Sequence, residues 1–437
     1  MNKYIVKGDL SGIQNFIFDI KSKGAARELK KRSLYVTNLA KELFAKDLEF
    51  FGKDNVEEIY IGGGNYFYEI ETDKDEDELN KYFSQRSHEF LLNEIYPHYA
   101  WGKSGQTFKE SMTQVNLEML RVKQQRLISN SPFKKSISSL SDNIDGVGIN
   151  FHYPKDEKGN ILDFDKIALK GKGDHKLAAL KLDVDQLGNV FRNQTKSDYS
   201  LLSNELGDFF DQKLLELIQK NQITDEVYVV FSGGDDCFLI GTWHTIINMA
   251  LLIKKEFDSL NDELRKNVKT LNQNITFSAG ITIFPPKYPL KQMADEVEDY
   301  LSQAKTEGRN KITILGHSLT WNEYDKVLKI KNQLYDLVMK KGESKALIQR
   351  IKSSKIGYEA LQNRAVNGKL ELPKVWNLKY YLRNIKKDNS KEVEELFDTY
   401  SKSLIDAFMS KENATNPMIY PIAARLTELL IKNNNNE

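Results

Sequence analysis

The sequence predicts an α+β fold in which one βαβ-containing domain occurs twice and a helical module follows. Three observations predict it. Apolar strands run into short polar clusters at their ends, those strand ends recur at a similar interval in each half of the chain, and strand signals fade after residue 317.

The clearest element is VYVVFSGGDDCFLIG at 227–241. A β-branched and aromatic run breaks at Gly233 and Gly234, delivers Asp235 and Asp236, and resumes at Cys237, which is the pattern of a β-hairpin. Two adjacent carboxylates repel, and a fold that keeps both ionised usually does so with a divalent cation; the bland alternative is a solvated turn. About fifty residues earlier, LAALKLDVDQLG at 177–188 reads as a strand that ends in Asp183 and Asp185. Strand alternation sends those two side chains to one face and Val184 to the other. A strand-to-loop cap would explain the pair alone. With the hairpin, the acids form a set suited to two-metal phosphoryl transfer, because Mg²⁺ takes hard oxygen ligands and leaves room for phosphate oxygens.

At 437 residues and 40% hydrophobic, the chain can bury cores for two to four domains. Its 63 Lys and Arg against 62 Asp and Glu leave +1, so a nucleic-acid partner must be met by local patches rather than overall charge. The single cysteine, Cys237, excludes an internal disulfide framework and a Cys₄ zinc ribbon, and its place in the hairpin suits a small buried thiol. No signal-peptide pattern opens the chain and no apolar run approaches bilayer length; a cytoplasmic protein with no membrane partner is expected.

In chain order, residues 1–20 give a short strand into Gly8-Asp9-Leu10-Ser11-Gly12 and then an apolar segment. Asp9 aligns with Asp183 and Ser11 with Asp185; further on, Gly64, Asn65 and Tyr66 align with Gly234, Asp235 and Asp236. The interval from Asp9 to Gly63 is 54 residues and from Asp183 to Gly233 is 50, as two copies of one domain would show. Lacking the acids, the first copy cannot hold two metals and is expected to be architectural or substrate-binding. Between its strands, residues 24–44 are helical, with Leu29, Val36, Leu39, Ala40 and Leu43 as an apolar stripe and Lys30, Lys31 and Arg32 as a basic knot, read as a solvated face or a phosphate contact. Residues 71–81 are acidic and exposed, and 83–96 read as an amphipathic helix.

Residues 119–175, with SNSPFKKSISSLSDN and a turn at Lys158-Gly159-Asn160, read as a linker or small insertion. His152 and His175 there have no partner at metal-ligand spacing. In the second copy, 200–220 and 246–264 are helices and 275–284 is a strand, whose small residues Ser278, Ala279 and Gly280 allow close approach of backbone or ligand. A helix over 289–307 leads to Lys305 and Arg309, four residues apart and expected on one side, and a short strand closes at 312–315. Lys305 is the candidate cation for nucleotide phosphates, or else a lysine favoured by the helix dipole. Residues 317–437 are Lys- and Leu-rich helices, with helices around 321–338, 376–385 and 393–409; lysines 326, 329, 331, 340, 341, 345, 352 and 355 either border RNA or solvate helix faces.

GDLSGIQNFIF at 8–18, KGAARELKKRSLYV at 23–36, the glycines 62–64, LKLDVDQLG at 180–188 and FSGGDDCFLIG at 231–241 together resemble the large signature subunit of type III CRISPR effector complexes. The resemblance covers essentially the whole chain. It implies two ferredoxin-like polymerase/cyclase palm domains in tandem, a degenerate first palm at 1–118 and a catalytic second palm at 176–316, with 119–175 between them and a helical C-terminal domain at 317–437. It further implies that the subunit, when the guide complex binds target RNA, polymerises ATP into cyclic oligoadenylate messengers. On the matching positions, Asp183, Asp235 and Asp236 are the catalytic acids and, with Val184, the metal set for two Mg²⁺ or Mn²⁺ ions. Gly62, Gly63, Gly64, Ser232, Gly233, Gly234, Ser278, Lys305 and Arg309 are the nucleotide-contacting set. The implied partners are other type III effector subunits, guide RNA and target RNA.

Two departures matter: no His-Asp dyad precedes the first palm, so DNA cleavage is not expected, and a Cys-rich zinc element between the palms is replaced by residues 119–175. Two rivals remain, a free-standing nucleotide cyclase or synthase of an adenylated conjugate, and a non-enzymatic scaffold of an RNA complex.

Overall fold

The computed structural model describes residues 1–20, 24–62, 64–89, 95–105, 107–128, 152–192, 194–268, 270–271, 273–354, 389–409 and 414–432. Gly63, the Ser-rich stretch from 129, Lys355 and the helix expected at 376–385 lie outside them.

The first unit runs β1 (Asn2–Ser11), α1 (Ile13–Phe18), α2 (Ala25–Phe51), β2 (Val56–Gly62), β3 (Asn65–Thr72), α3 (Glu76–Glu89), β4 (Tyr96–Lys103) and α4 (Phe108–Ile128). Its sheet has the order β2-β3-β1-β4, which is the ferredoxin-like arrangement with the first strand central. The apolar stripe of α2 is buried at Leu29, Val36, Leu39, Ala40 and Leu43, as its helical period requires. One expectation is corrected: α3 begins at Glu76, inside the stretch read as acidic and exposed, and ends at Glu89, because Glu76, Asp77 and Glu78 in a first turn favour a helix start.

A short helix α5 (Phe164–Ala168) precedes the second unit. It runs β5 (Leu177–Val184), α6 (Leu187–Phe191), α7 (Lys196–Asp208), a π-helical turn at Phe209–Lys213, α8 (Leu214–Lys220), β6 (Val227–Gly233), β7 (Asp236–Thr242), α9 (Trp243–Asn267), β8 (Phe277–Phe284), α10 (Leu290–Thr306), β9 (Lys311–Ile314) and β10 (His317–Thr320). The order β10-β9-β8-β5-β7-β6 contains the same four-strand plan, extended at one edge by β9, parallel to β8, and β10. Both hairpins even break register at the same place, between Glu58 and Tyr60 in one and Val229 and Phe231 in the other.

The two units share a core. Phe18 packs on Phe238 with ring centroids 4.8 Å apart, and the buried Tyr228 hydroxyl donates to the Ala26 carbonyl at 2.7 Å. The C-terminal helices continue the second unit's core. In α11 (Trp321–Tyr335), Trp321 stacks edge-on against Phe277 and Tyr324 donates to the Ile247 carbonyl; α12 (Ser390–Phe408) and α13 (Ile419–Ile431) complete the layer. A capping box at Thr320 and Glu323 starts α11 sharply after β10. Among the described residues no helix is long and apolar enough to cross a membrane.

Candidate active site

Two strand ends bring the acids together. Asp183 near the end of β5 and Asp236 at the start of β7 are direct cross-strand partners, which puts both side chains on one face of the sheet. Gly234 and Asp235 form the turn between Gly233 and Asp236, with Gly234 at a φ of 68° that favours glycine. The Asp235 carbonyl accepts from the Val184 N–H at 2.9 Å, tying the hairpin tip to the end of β5. Val184 itself is buried in the core and offers no side-chain ligand.

Burial and crowding act on these acids in concert. Burial first, and then the charge of Asp235, pushes the Asp236 carboxyl up to about 8. Burial and then Asp183 push Asp235 up to about 6, and burial raises Asp183 against the opposing pull of Lys305. Lys305 Nζ lies 2.7 Å from Asp183 Oδ2. It reaches there because Gly280 lets α10 lie almost on β8: a Cβ at that position would come within 2.6 Å of the Leu301 amide nitrogen and the Val297 carbonyl. Among the described residues no three His, Cys, Asp or Glu side chains converge into a finished metal cage; the counter-charge here is the Lys305 ammonium.

Other expected residues take different roles. Asp185 does not join the cluster: it is buried and accepts from Ser278 Oγ at 2.6 Å, Thr276 Oγ1 at 2.8 Å and the Asn310 N–H at 2.9 Å. Strand alternation failed as a guide because β5 ends at Val184, so Asp185 lies beyond it. Ser278 is thereby committed to Asp185, and Ser232 donates to the Phe210 carbonyl at 2.5 Å, holding the π-helical turn against β6. Arg309 is not one helical turn on from Lys305, since α10 stops at Thr306 and Gly308 and Arg309 turn at positive φ; its side chain is exposed.

The first hairpin corrects the alignment by one residue. Gly62 pairs with Asn65 as Gly233 pairs with Asp236, and Asp9 faces Asn65 as Asp183 faces Asp236. The Leu10 N–H donates to the Gly64 carbonyl at 3.0 Å, the counterpart of the Val184 bond to Asp235. Gly64 therefore stands where Asp235 stands, and Asn65 where Asp236 stands. Side-chain identity misled the sequence alignment, whereas hydrogen-bond register does not slip without turning a whole strand over.

Several residues that sequence reasoning missed surround these strand ends. Lys181, two residues before Asp183, is buried and pairs with Glu298 of α10, which also accepts from Gln14 of α1 at 3.4 Å. Lys7, two residues before Asp9, donates to Asn116 Oδ1 at 2.8 Å, and Lys123 pairs with Asp9. The helix residues share one spacing: Asn116 and Lys123 are seven apart, as are Glu298 and Lys305. Seven residues is two helical turns, so each pair lies on one helix face. That shared spacing was the available signal.

A cavity of about 680 Å³ opens between the two units. Lys7, Tyr60, Asn65 and Lys123 line it from the first, and Phe191, Tyr199, Gly234 and Asp235 from the second. Phe191 and Tyr199 lie with ring centroids 4.2 Å apart.

Residues 176–313 match the family model of the Cas10/Cmr2 second palm domain, and residues 3–145 match that of Csm1 subunit domain B. A single-strand-specific deoxyribonuclease Cas10/Csm1 of a subtype III-A CRISPR system from Streptococcus thermophilus is 22% identical over 516 aligned positions, covering 93% of this chain and 65% of the relative. Its counterpart from Thermococcus onnurineus is 25% identical over 201 positions, covering 40% of this chain and 25% of the relative. The chain thus spans between a quarter and two thirds of these relatives. Among solved structures, a Csm1–Csm4 cassette in complex with pppApApA superposes with a TM-score of 0.74 at 17% identity, covering 98% of this chain and 69% of that one. The cassette in complex with AMPPNP gives 0.68 at 18% identity, covering 99% and 70%. At these identities the superpositions establish a shared fold.

Proposed function

The chain belongs to the Cas10/Csm1 family, and on that premise we propose that it is a type III CRISPR effector subunit whose second palm joins ATP into cyclic oligoadenylates. The observation that carries the reading is that Asp183 and Asp236 pair across β5 and β7 beside a hairpin tip whose Gly234 and Asp235 line a cavity walled on its other side by the first palm.

The acids suit Mg²⁺ or Mn²⁺: they are hard oxygen donors, and burial and mutual repulsion raise their proton affinity, as befits a set awaiting a cation. Asp183, Asp235 and Asp236 would hold the metal, two ions in the full reading. When bound there, the metal would lower the pKa of a nucleotide 3′-hydroxyl and offset charge on the triphosphate. Lys305, released from Asp183, meets the outer phosphates. Gly234 leaves the hairpin tip bare for close approach, and the aromatic pair Phe191 and Tyr199 suits a purine ring. A second ATP lies against the first palm near Gly62–Gly64, so that acceptor and donor face each other for in-line attack at the α-phosphorus with pyrophosphate leaving. Other effector subunits, guide RNA and target RNA are its proposed partners. Solved Csm1–Csm4 cassettes of the same fold are complexes with AMPPNP and with cA4.

The test is to incubate the chain with ATP and Mg²⁺, alone and assembled with guide and target RNA, and to weigh the products. Cyclic oligoadenylates from the RNA-bound complex are expected, and none from an Asp235→Ala, Asp236→Ala variant that still assembles. A product made without RNA, or an adenylated conjugate, would favour a free-standing synthase; no product in any arm would favour a scaffold.

A further inference from the structure

Two charge pairs tie α10 to the acid-bearing strand, and they run in opposite senses. On β5, Lys181 and Asp183 are two residues apart and share one face of the sheet with Asp236, the cross-strand partner of Asp183. On α10, Glu298 and Lys305 are seven apart and share one helix face. Glu298 takes Lys181, and Lys305 takes Asp183. The cross-strand neighbour of Lys181 on β8 is Gly280, whose missing side chain lets α10 come close enough for both pairs.

The two lysines differ in their freedom. Lys305 stands in the last turn of α10 with 31% of its side chain exposed, so it can leave Asp183 for solvent or a ligand. Lys181 is only 4% exposed and cannot leave. Asp183 and Asp236 both feel its charge, and without a counter-ion of its own the buried ammonium would settle on them and compete with an incoming cation. Glu298 is that counter-ion, and Gln14 of α1 donates to the same carboxylate oxygen at 3.4 Å, so a first-palm residue helps to hold it. In the first palm, where Gly64 and Asn65 stand in place of the hairpin acids, the neutral Asn116 stands in place of Glu298 beside Lys7.

We propose that Glu298 is a positioning residue for the metal centre, which holds the Lys181 ammonium away from Asp183 and Asp236 and so leaves both carboxylates to a divalent cation. This rests on the reading that those acids bind the metal, and adds what keeps a buried cation from occupying them. Lys305 is the displaceable counter-charge and the Lys181–Glu298 pair the permanent one. Neutralising Glu298 leaves the ammonium uncompensated beside the acids, which opposes metal binding; removing both charges of the pair lifts that opposition.

The experiment is titration of Mn²⁺ into the full chain without nucleotide, read by the electron paramagnetic resonance signal of free Mn²⁺, with a melting curve for every variant. The parent is expected to bind Mn²⁺ and Asp236→Asn to abolish that binding. Glu298→Gln should raise the Mn²⁺ dissociation constant by about 10-fold, and Lys181→Met combined with Glu298→Gln should return it to within about 3-fold of the parent. A merely structural tie between α10 and β5 would show no such rescue, because the double variant breaks that tie as fully as the single one. Unchanged affinity in Glu298→Gln, or a double variant as weak as Glu298→Gln, overturns the proposal. If Asp236→Asn abolishes binding under either result, the metal reading stands and this inference alone fails; a parent without Asp236-dependent Mn²⁺ binding overturns both.

Discussion

In the first palm the strand-end Asp9 meets Lys123 and an asparagine; in the second, Asp183 meets Lys305 and two further acids. The backbones around them match down to a shared register break and a shared hydrogen bond from the residue after the aspartate to the hairpin tip. The interior pairs are complementary in size but reversed. Gly8 faces Tyr66 where Leu182 faces Cys237, so each palm fills the same cross-strand space with one large and one small residue. A duplicated fold can thus keep its packing volume and its lysines while three acid-to-neutral differences change the charge at its strand ends.

The widest separation between the palms should appear in synthesis. Asp235→Ala with Asp236→Ala is expected to lower nucleotide synthesis by about 10³-fold or more with the melting temperature preserved, while Asn65→Ala at the equivalent first-palm position changes it by far less. Comparable losses in a product-mass assay would mean the first palm also does chemistry.

Stability comes next. Asp185→Ala strands Ser278, Thr276 and the Asn310 amide and should cost about 2–4 kcal/mol by denaturant titration. Its first-palm counterpart Ser11, whose hydroxyl reaches Asp9 only at 3.4 Å, should tolerate Ala within about 0.5 kcal/mol. Gly8→Ala places a Cβ 1.9 Å from Tyr66 Cζ and should cost about 1–3 kcal/mol; Gly8→Leu with Tyr66→Cys, which imports the second-palm pair, should recover much of the loss. A double variant no better than Gly8→Leu alone would refute the swapped-volume account.

The smallest effect is a pH dependence from the second palm's strand-end acids. The raised carboxyls of Asp235, about 6, and Asp236, about 8, bind protons more tightly folded than unfolded, so their stabilising contribution is complete below about 4 and is lost as pH rises through 6 and 8. In EDTA, Asp236→Asn should therefore melt a few degrees above the parent at pH 8 and level with it at pH 4. A difference that persists unchanged at pH 4 would show that titration is not its source.

Much of the fold was legible because its signals are local. The stripe on α2, the hairpin glycines and the apolar run of β5 each depend on neighbours within a few residues, and the repeat is visible because both copies keep them. The candidate site was legible in its acids but not in their partners. Arg309 was misplaced because it lies past the end of α10, where the chain turns at positive φ through Gly308 and Arg309 and helical spacing no longer holds, and Asp185 because a strand that stops one residue early no longer alternates.

By itself the sequence determined which segments become strands and helices, that they occur twice, and that three acids gather at one strand end, since periodicity and turn chemistry act over a handful of residues. Only the tertiary structure decided the one-residue register of the first hairpin, the engagement of Lys305 with Asp183, the diversion of Asp185 to Ser278 and the survival of Lys7 and Lys123 beside Asp9. Those are pairings between residues that stand about a hundred positions or more apart in the chain or depend on a hydrogen-bond ladder, and they exist only once a helix has been laid on a sheet at a distance set by a residue such as Gly280.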